Sequence, residues 1–79
     1  MERYYFHVID GQFLADEVGT MFPNVAAVRV EALVASGEML RDLGRRAWAG
    51  SEWQMHVTDE ANETVLKLSF STESLGTIS

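Results

Sequence analysis

The sequence predicts an α+β fold in which one long helix packs on one face of a mainly antiparallel four-stranded sheet, in the order ββαββ. Apolar and polar residues alternate near both ends of the chain, apolar residues recur every three or four positions in the middle, and Asp-Gly follows the first alternating segment. A chain of 79 residues has room for one domain. We therefore expect a single-domain, two-layer sandwich over residues 1–79, with an ordered core over residues 3–71 and a polar tail over residues 72–79.

The first hairpin is predicted from the N-terminal residues. Aromatic and β-branched side chains fill the segment Arg3–Ile9, which favours a strand. Asp10-Gly11 follows directly and predicts a type I′ turn, in which both central residues have positive φ. The second strand should begin near Gln12. Because acidic residues and a glycine interrupt it at residues 16–19, we expect it to be short and irregular, or bulged.

The central segment is predicted to be a helix. Pro23 disfavours helix at the residue before it, and Asn24 is a good N-cap. From Val25 the apolar period is helical, and Gly44 is the expected residue just beyond the helix end. Gly37 costs roughly 1 kcal/mol relative to Ala in a helix interior, unless a strand backbone packs closely against it.

After the helix the period changes to two, which predicts the second hairpin. Strands are expected over residues 52–58 and 64–71, with a turn at Asp59–Glu63. Inward-facing apolar residues of all these elements form the predicted core: Tyr4, Phe6, Val8, Val28, Ala32, Met39, Leu43, Trp53, Met55, Val57, Leu66, Leu68 and Phe70.

Charge and cysteine content exclude several functions. The chain carries 12 acidic and 6 basic residues, a net charge of −6, and no cysteine. The negative charge argues against nucleic-acid binding, and the lack of cysteine excludes disulfides, thiolate zinc sites and a cysteine nucleophile. The sequence has neither a secretory signal nor an apolar run long enough to span a membrane, so we expect a cytoplasmic protein.

Two small groups of residues have the chemistry of metal ligands. Asp10, Asp16 and Glu17 offer carboxylates of the kind that Mg²⁺ and Ca²⁺ prefer, although a solvated polar turn is the interpretation we favour. His7 and His56 both face outward and, if their strands are neighbours, they approach each other and with Asp10 offer zinc ligands; two exposed polar side chains are the alternative. No catalytic or phosphate-binding motif is present, so we expect no enzyme activity, no cofactor and no small-molecule substrate.

The outward face of the sheet is the predicted interaction surface. One helix covers only one face, and the other should carry Tyr5, His7, Gln54, His56, Val65 and Lys67. Aromatic residues on an open sheet can stack RNA bases, but the acidic chain favours a protein partner or a second copy. The one basic spot, at Arg45, Arg46 and Trp48, either binds an acidic segment or packs over the core edge.

Several short segments resemble a known family. They are residues 3–7 (Arg-Tyr-Tyr-Phe-His) with Asp10-Gly11, residues 16–20 (Asp-Glu-Val-Gly-Thr), residues 23–27 (Pro-Asn-Val-Ala-Ala) with Glu31-Ala32, and residues 48–50 (Trp-Ala-Gly) with Trp53 and residues 57–60 (Val-Thr-Asp-Glu). This pattern is similar to short, uncharacterised bacterial proteins, chiefly of rhizobial type, that carry a domain of unknown function. The resemblance implies a soluble one-domain protein and transfers no site.

A second resemblance covers residues 4–40 and is to HicB-type antitoxins, which begin with an aromatic strand, an Asp-Gly turn and a capped, Ala-rich helix. It implies a protein that masks a small basic toxin, which would suit an acidic surface. The leading hypothesis is a non-catalytic interaction module that self-associates, as a homodimer, through the open sheet face or a strand edge. The alternatives are the HicB-like inhibitor and a metal-binding protein that uses His7 and His56.

Overall fold

The computed structural model describes residues 1–76 and confirms an α+β fold with one helix packed against an antiparallel sheet. The predicted number of strands was wrong, because the sheet has five and not four. The elements are β1 (Glu2–Ile9), β2 (Phe13–Leu14), β3 (Thr20–Phe22), α1 (Val25–Arg45), β4 (Glu52–Thr58) and β5 (Thr64–Ser71).

The fifth strand arises because the predicted second strand is divided in two. β1 pairs with β4 along one edge, and β2 and β3 follow one another along the other. β3 pairs with residues 2–4 of β1 and β2 with residues 8–9. Between them, residues 15–19 leave the ladder, at the acidic residues and glycine where the sequence predicted an irregularity. The main path of the sheet is β2-β1-β4-β5, so β5 is an edge strand.

The turn between β1 and β2 is longer than a type I′ turn. Ile9 pairs with Phe13, which leaves the three residues 10–12 in the turn. Gly11 has φ +73°, but Asp10 is not among the residues with positive φ. The type I′ prediction was therefore wrong. The Asp10 side chain is fixed by a hydrogen bond that its carboxylate accepts from the indole of Trp48, which is distant in the sequence.

The helix begins as predicted and ends later. Asn24 is the N-cap, and its Oδ1 accepts a hydrogen bond from the Ala27 amide at 2.9 Å. At the other end the helix passes Gly44. Ala47 takes the left-handed conformation, with φ 55°, and the Trp48 amide donates to the Leu43 carbonyl at 2.9 Å. This is a Schellman motif in which alanine occupies the position that glycine usually takes.

The core lies between α1 and the central strands. Its buried hydrophobic residues are Tyr4, Val28, Ala32, Trp53, Met55 and Val57. Met39 and Phe70, which were predicted to be core residues, are 39 % and 40 % exposed. A helix about 10 Å wide covers roughly two strands spaced about 4.8 Å apart, so one helix leaves the edge of the sheet partly open.

A bulge changes the course of β5. Val57 pairs with Leu66 and Thr58 pairs with Thr64, so Val65 is an extra residue in the ladder. It packs against the core cluster and is half-buried, whereas the alternation of the sequence placed it on the open face. Of the predicted polar tail, residues 72–76 are exposed, and residues 77–79 lie outside the described part of the chain.

Candidate functional site

The open sheet face brings most of the predicted interaction residues together. His7 pairs directly with His56 across β1 and β4, and His56 pairs with Lys67 across β4 and β5. The Tyr5 ring stacks on His7 with centroids 6.4 Å apart, and the Phe13 ring stacks on its other side at 5.5 Å. These three rings form an aromatic ladder along one edge of the face. Sequence reasoning missed Phe13, because its strand was too short to assign a face.

Hydrogen bonds hold His7 on both sides of its ring. Nδ1 accepts from the Asp16 amide at 3.1 Å, and Nε2 lies 3.0 Å from the Thr58 hydroxyl oxygen. An Nδ1 atom that accepts carries no proton in the neutral ring, so the network assigns the proton to Nε2, which donates to Thr58. Both nitrogens of His7 are therefore engaged within the protein. His56 Nε2 lies 2.9 Å from Gln54 Oε1.

Asp16 organises the loop that interrupts the edge strand. Its Oδ2 accepts from the Phe6 amide at 3.1 Å, and its Oδ1 accepts from the amides of Val18 and Gly19 at 3.0 Å each. Partial burial raises the pKa of this carboxyl, but the hydrogen bonds from the Gly19, Phe6 and Val18 amides outweigh it and lower the pKa below its ordinary value. The carboxylate thus takes the place of a strand partner for the middle of β1.

Gly19 completes the same loop. It has φ +73°, and a Cβ at this position would lie 2.8 Å from the Arg3 and Tyr5 side chains. The Arg3 guanidinium donates to the Val18 carbonyl at 2.9 Å. The loop is therefore packed tightly on β1, and any side chain at residue 19 would force it away.

Burial and charge affect Tyr4 at the start of β1. Its hydroxyl donates to Glu2 Oε2 at 3.1 Å, and the residue is 3 % exposed. Burial raises the pKa of Tyr4, and the hydrogen bond to Glu2 and the charges of Glu2 and Asp59 raise it further. The ring is part of the buried core, and it makes an edge contact with the Phe22 ring, with centroids 6.2 Å apart.

The acidic residues predicted as one group take separate roles. Asp10 Oδ1 accepts from Trp48 Nε1 at 2.8 Å, whereas Asp16 bonds backbone amides. Glu17 is exposed. Within residues 1–76, no three His, Asp or Glu side chains are grouped closely enough to hold a metal ion.

Trp48 packs back over the edge of the core, the second of the two arrangements predicted for it. Its ring contacts Phe70 with centroids 6.4 Å apart and lies so close over Gly50 that a Cβ there would be 2.5 Å from it. Arg45 and Arg46 are exposed beside it. The indole thus ties the β1–β2 turn to the connection that leads into β4.

A second candidate surface lies on α1 and β5, and sequence reasoning did not predict it. Val30 and Val34, the α1 ridge, are 62 % and 53 % exposed on the helix surface. Beside them is a groove of about 270 Å³, the α1–β5 groove. Its lining consists of Leu33, Ser36, Gly37 and Leu40 from α1 with Trp53, Leu68, Ser69 and Phe70 from the sheet.

The sequence contains a signal for this second surface. Val30, Leu33, Val34 and Gly37 follow the spacing i, i+3, i+4, i+7, which places them on one side of a helix. That stripe is separate from the buried one, which includes Val28 and Ala32. An α-helix with apolar residues on two sides has more apolar surface than one sheet face can cover. No atom lies within 4 Å of a Cβ built on Gly37, so no strand packs there.

Comparisons with known proteins identify a family. No helix within residues 1–76 has the length and apolar character needed to cross a membrane. Neither the curated proteins nor the solved structures include a significant match to the chain. A family model described as a domain of unknown function, DUF6894, matches residues 3–71, which is most of the chain. The chain therefore belongs to the DUF6894 family.

Proposed function

We propose that the protein is a small, non-catalytic interaction module that associates with a second copy of itself. The observation that carries the proposal is the apolar surface formed by the α1 ridge and the α1–β5 groove. Val30 and Val34 are more than half exposed, and Leu33 beside them is 51 % exposed. A contiguous apolar patch of this kind marks interaction sites on small proteins.

The charge of the surrounding surface supports a contact at this place. The whole chain carries a net charge of −6, which opposes the approach of a second copy. The ridge and groove contain no acidic residue, and Lys67 is the only charged residue of β5. Glu31 and Glu38 lie three and four residues from Val34, so they flank the α1 ridge on the side away from the groove. The groove side of this surface is therefore free of carboxylates.

Light scattering behind size exclusion tests the proposal at several protein concentrations. We expect a mass near twice the 8.8 kDa of the chain at the higher concentrations. Val34→Glu should shift the mass toward the monomer, because it places a charge in the apolar contact. Val18→Glu is the matched control, since Val18 is 76 % exposed in the loop before β3. A monomeric wild-type protein at every concentration would overturn the proposal.

The open sheet face gives a second way to self-associate. The aromatic ladder of Tyr5, His7 and Phe13 is suited to a modest protein interface, in which aromatic residues are enriched. If this face were the contact, Phe13→Ser would dissociate the dimer and Val34→Glu would not. Phe13 is 61 % exposed, so the substitution leaves the core intact.

The remaining sequence-based hypotheses stay predictions. A HicB-like inhibitor should retain a small basic protein in a pull-down under low salt. Zinc binding by His7 and His56 should raise the melting temperature, and it would have to displace the hydrogen bonds that His7 makes to Asp16 and Thr58. Bacterial origin and cytoplasmic location are likewise predictions.

A further inference from the structure

The loop of residues 15–19, the edge loop, is attached to β1 partly through an atom that can bind a proton, Nδ1 of His7. We propose that the edge loop is a pH-sensitive latch, which neutral His7 holds closed over the middle of β1 and which protonation of His7 between pH 8 and pH 5 loosens. The change takes place within one chain, so the inference goes beyond the proposed self-association and does not depend on it.

The edge loop takes the place of a missing strand. Residues 5–7 of β1 have no strand partner on this side, because β3 pairs with residues 2–4 and β2 pairs with residues 8–9. The Phe6 amide donates to Asp16 Oδ2 at 3.1 Å, and the Asp16 amide donates to His7 Nδ1 at 3.1 Å. The middle of β1 is thus fastened to the loop by one carboxylate oxygen and one imidazole nitrogen.

Protonation of His7 removes one of these two bonds. A neutral imidazole has one nitrogen that accepts and one that donates, whereas both nitrogens of the imidazolium donate. Nε2 can continue to donate to the Thr58 hydroxyl, 3.0 Å away. At Nδ1, however, a ring N–H would face the N–H of Asp16, and two donors 3.1 Å apart repel one another. The ring and the loop therefore have to separate when His7 gains a proton.

The Asp16 carboxylate cannot restore the contact without moving. The new N–H of the imidazolium points along the present bond, toward the Asp16 amide and not toward its carboxylate. The carboxylate oxygens already accept from the amides of Phe6, Val18 and Gly19. An ion pair would need the carboxylate to turn toward the ring, which would stretch these bonds. Both ways of accommodating the proton thus loosen the same loop.

The surroundings of His7 supply opposite charge for the imidazolium. The titratable groups that face the ring come from the elements around it: Asp16 from the edge loop, Tyr5 from β1, His56 from β4, and Asp59 and Glu60 from the β4–β5 turn. Lys67 is separated from the ring by His56, and Arg3 donates to the far end of the loop. The lowered pKa of Asp16 keeps its carboxylate ionised from pH 8 to pH 5. Of these groups, the two imidazoles are the ones whose charge ordinarily changes in this range.

Loosening the latch uncovers the edge of β1 without unfolding the sheet. The bonds to the Asp16 carboxylate still hold the loop closed most of the time, so the change is a more frequent local opening. When the loop is open, the Phe6 amide lies at a free backbone edge, which is the kind of edge that another strand pairs with.

Amide hydrogen exchange measured by NMR between pH 8 and pH 5 tests the latch in the wild-type protein. Phe6 donates its amide proton to the loop, so its protection factor reports opening of the loop; the Met55 amide in the interior strand β4 reports unfolding of the sheet. We expect the protection of Phe6 relative to Met55 to fall about fivefold or more, the effect of losing one hydrogen bond. The midpoint should coincide with the titration of the His7 ring and with a shift of the Asp16 amide resonance.

His7→Asn and His56→Asn are a matched pair of variants. The amide oxygen of asparagine lies at about the position of Nδ1 and accepts hydrogen bonds, but the side chain does not titrate. His7→Asn should therefore abolish the pH dependence of Phe6 protection. His56→Asn should keep it, because His56 contacts Gln54 and not the edge loop.

Four results would overturn the latch. A His7 ring that titrates while the Phe6 protection and the Asp16 resonance stay constant would show that the ring charges without moving the loop. A ring that stays neutral down to pH 5 would show that the latch does not operate in this range. A pH dependence that persists in His7→Asn, or that disappears in His56→Asn, would assign the effect to another group.

Discussion

Replacing Asp16 should strongly destabilise the fold, although the residue lies in a loop and touches no buried cluster. Its carboxylate accepts three backbone hydrogen bonds, from Phe6, Val18 and Gly19. A hydrogen bond to a charged group contributes about 1.5–3 kcal/mol when well shielded, and we take about 1 kcal/mol for each of these half-exposed bonds. Asp16→Ala should therefore cost about 3 kcal/mol, and Asp16→Asn about half as much, since it keeps one acceptor.

The pH dependence follows from the lowered pKa of Asp16. A carboxyl whose pKa is lower in the folded protein stabilises the fold fully above its unfolded pKa of about 3.9, and this contribution is lost as pH falls through the folded pKa. Asp16→Asn has no proton to bind at this position. The difference in stability between wild type and Asp16→Asn should thus be constant from pH 7 to pH 5 and shrink below about pH 4.

Urea denaturation at pH 7, pH 5 and pH 3 measures both effects at one protein concentration. Glu17→Ala is the matched control, because Glu17 is the neighbouring acidic residue and is exposed. For a domain of this size, the loss of about 3 kcal/mol of unfolding free energy expected for Asp16→Ala would also lower the melting temperature by roughly 12–24 °C. Equal unfolding midpoints for Asp16→Ala and Glu17→Ala would refute the role assigned to the carboxylate.

Three further predictions concern α1 and its connection to β4, and thermal denaturation checks them all. Ala47→Gly should stabilise the protein by about 0.5–1 kcal/mol, because φ 55° strains an alanine by more than the added freedom of glycine costs; an unchanged or lower melting temperature would contradict this. Gly50→Ala should destabilise the protein by about 1–3 kcal/mol, because the added Cβ would lie 2.5 Å from the Trp48 ring. Gly37→Ala should instead stabilise it by about 1 kcal/mol, because alanine favours the helix and the space around residue 37 is open. Equal effects of the two substitutions would show that the ring can move aside. Trp48→Phe should cost about 1 kcal/mol through the lost bond to Asp10, and this loss should vanish when Asp10 is already alanine.

Local signals in the sequence were sufficient for most of the elements. The N-cap at Asn24, the alternation in β4 and the period of α1 each depend on neighbouring residues, so they can be predicted without knowing the fold. Alternation also placed His7 and His56 on the same face, whereas the register that pairs them is set by the structure. The prediction of a helix end at Gly44 failed because Ala47, and not a glycine, takes the left-handed position that ends the helix.

The sequence by itself determined the fold class, the membership of DUF6894, and the outward direction of Tyr5, His7 and His56, because periodicity assigns a side chain to a face. Only the tertiary structure decided the division of the edge strand and the surface left uncovered. The division requires the Asp16 carboxylate to reach the Phe6 amide across the edge of β1. The uncovered surface depends on where the one helix lies over the sheet. The same apolar stripe on α1 would be part of the core if a further strand or helix packed on it. In this fold Val30, Leu33 and Val34 are exposed beside an open groove.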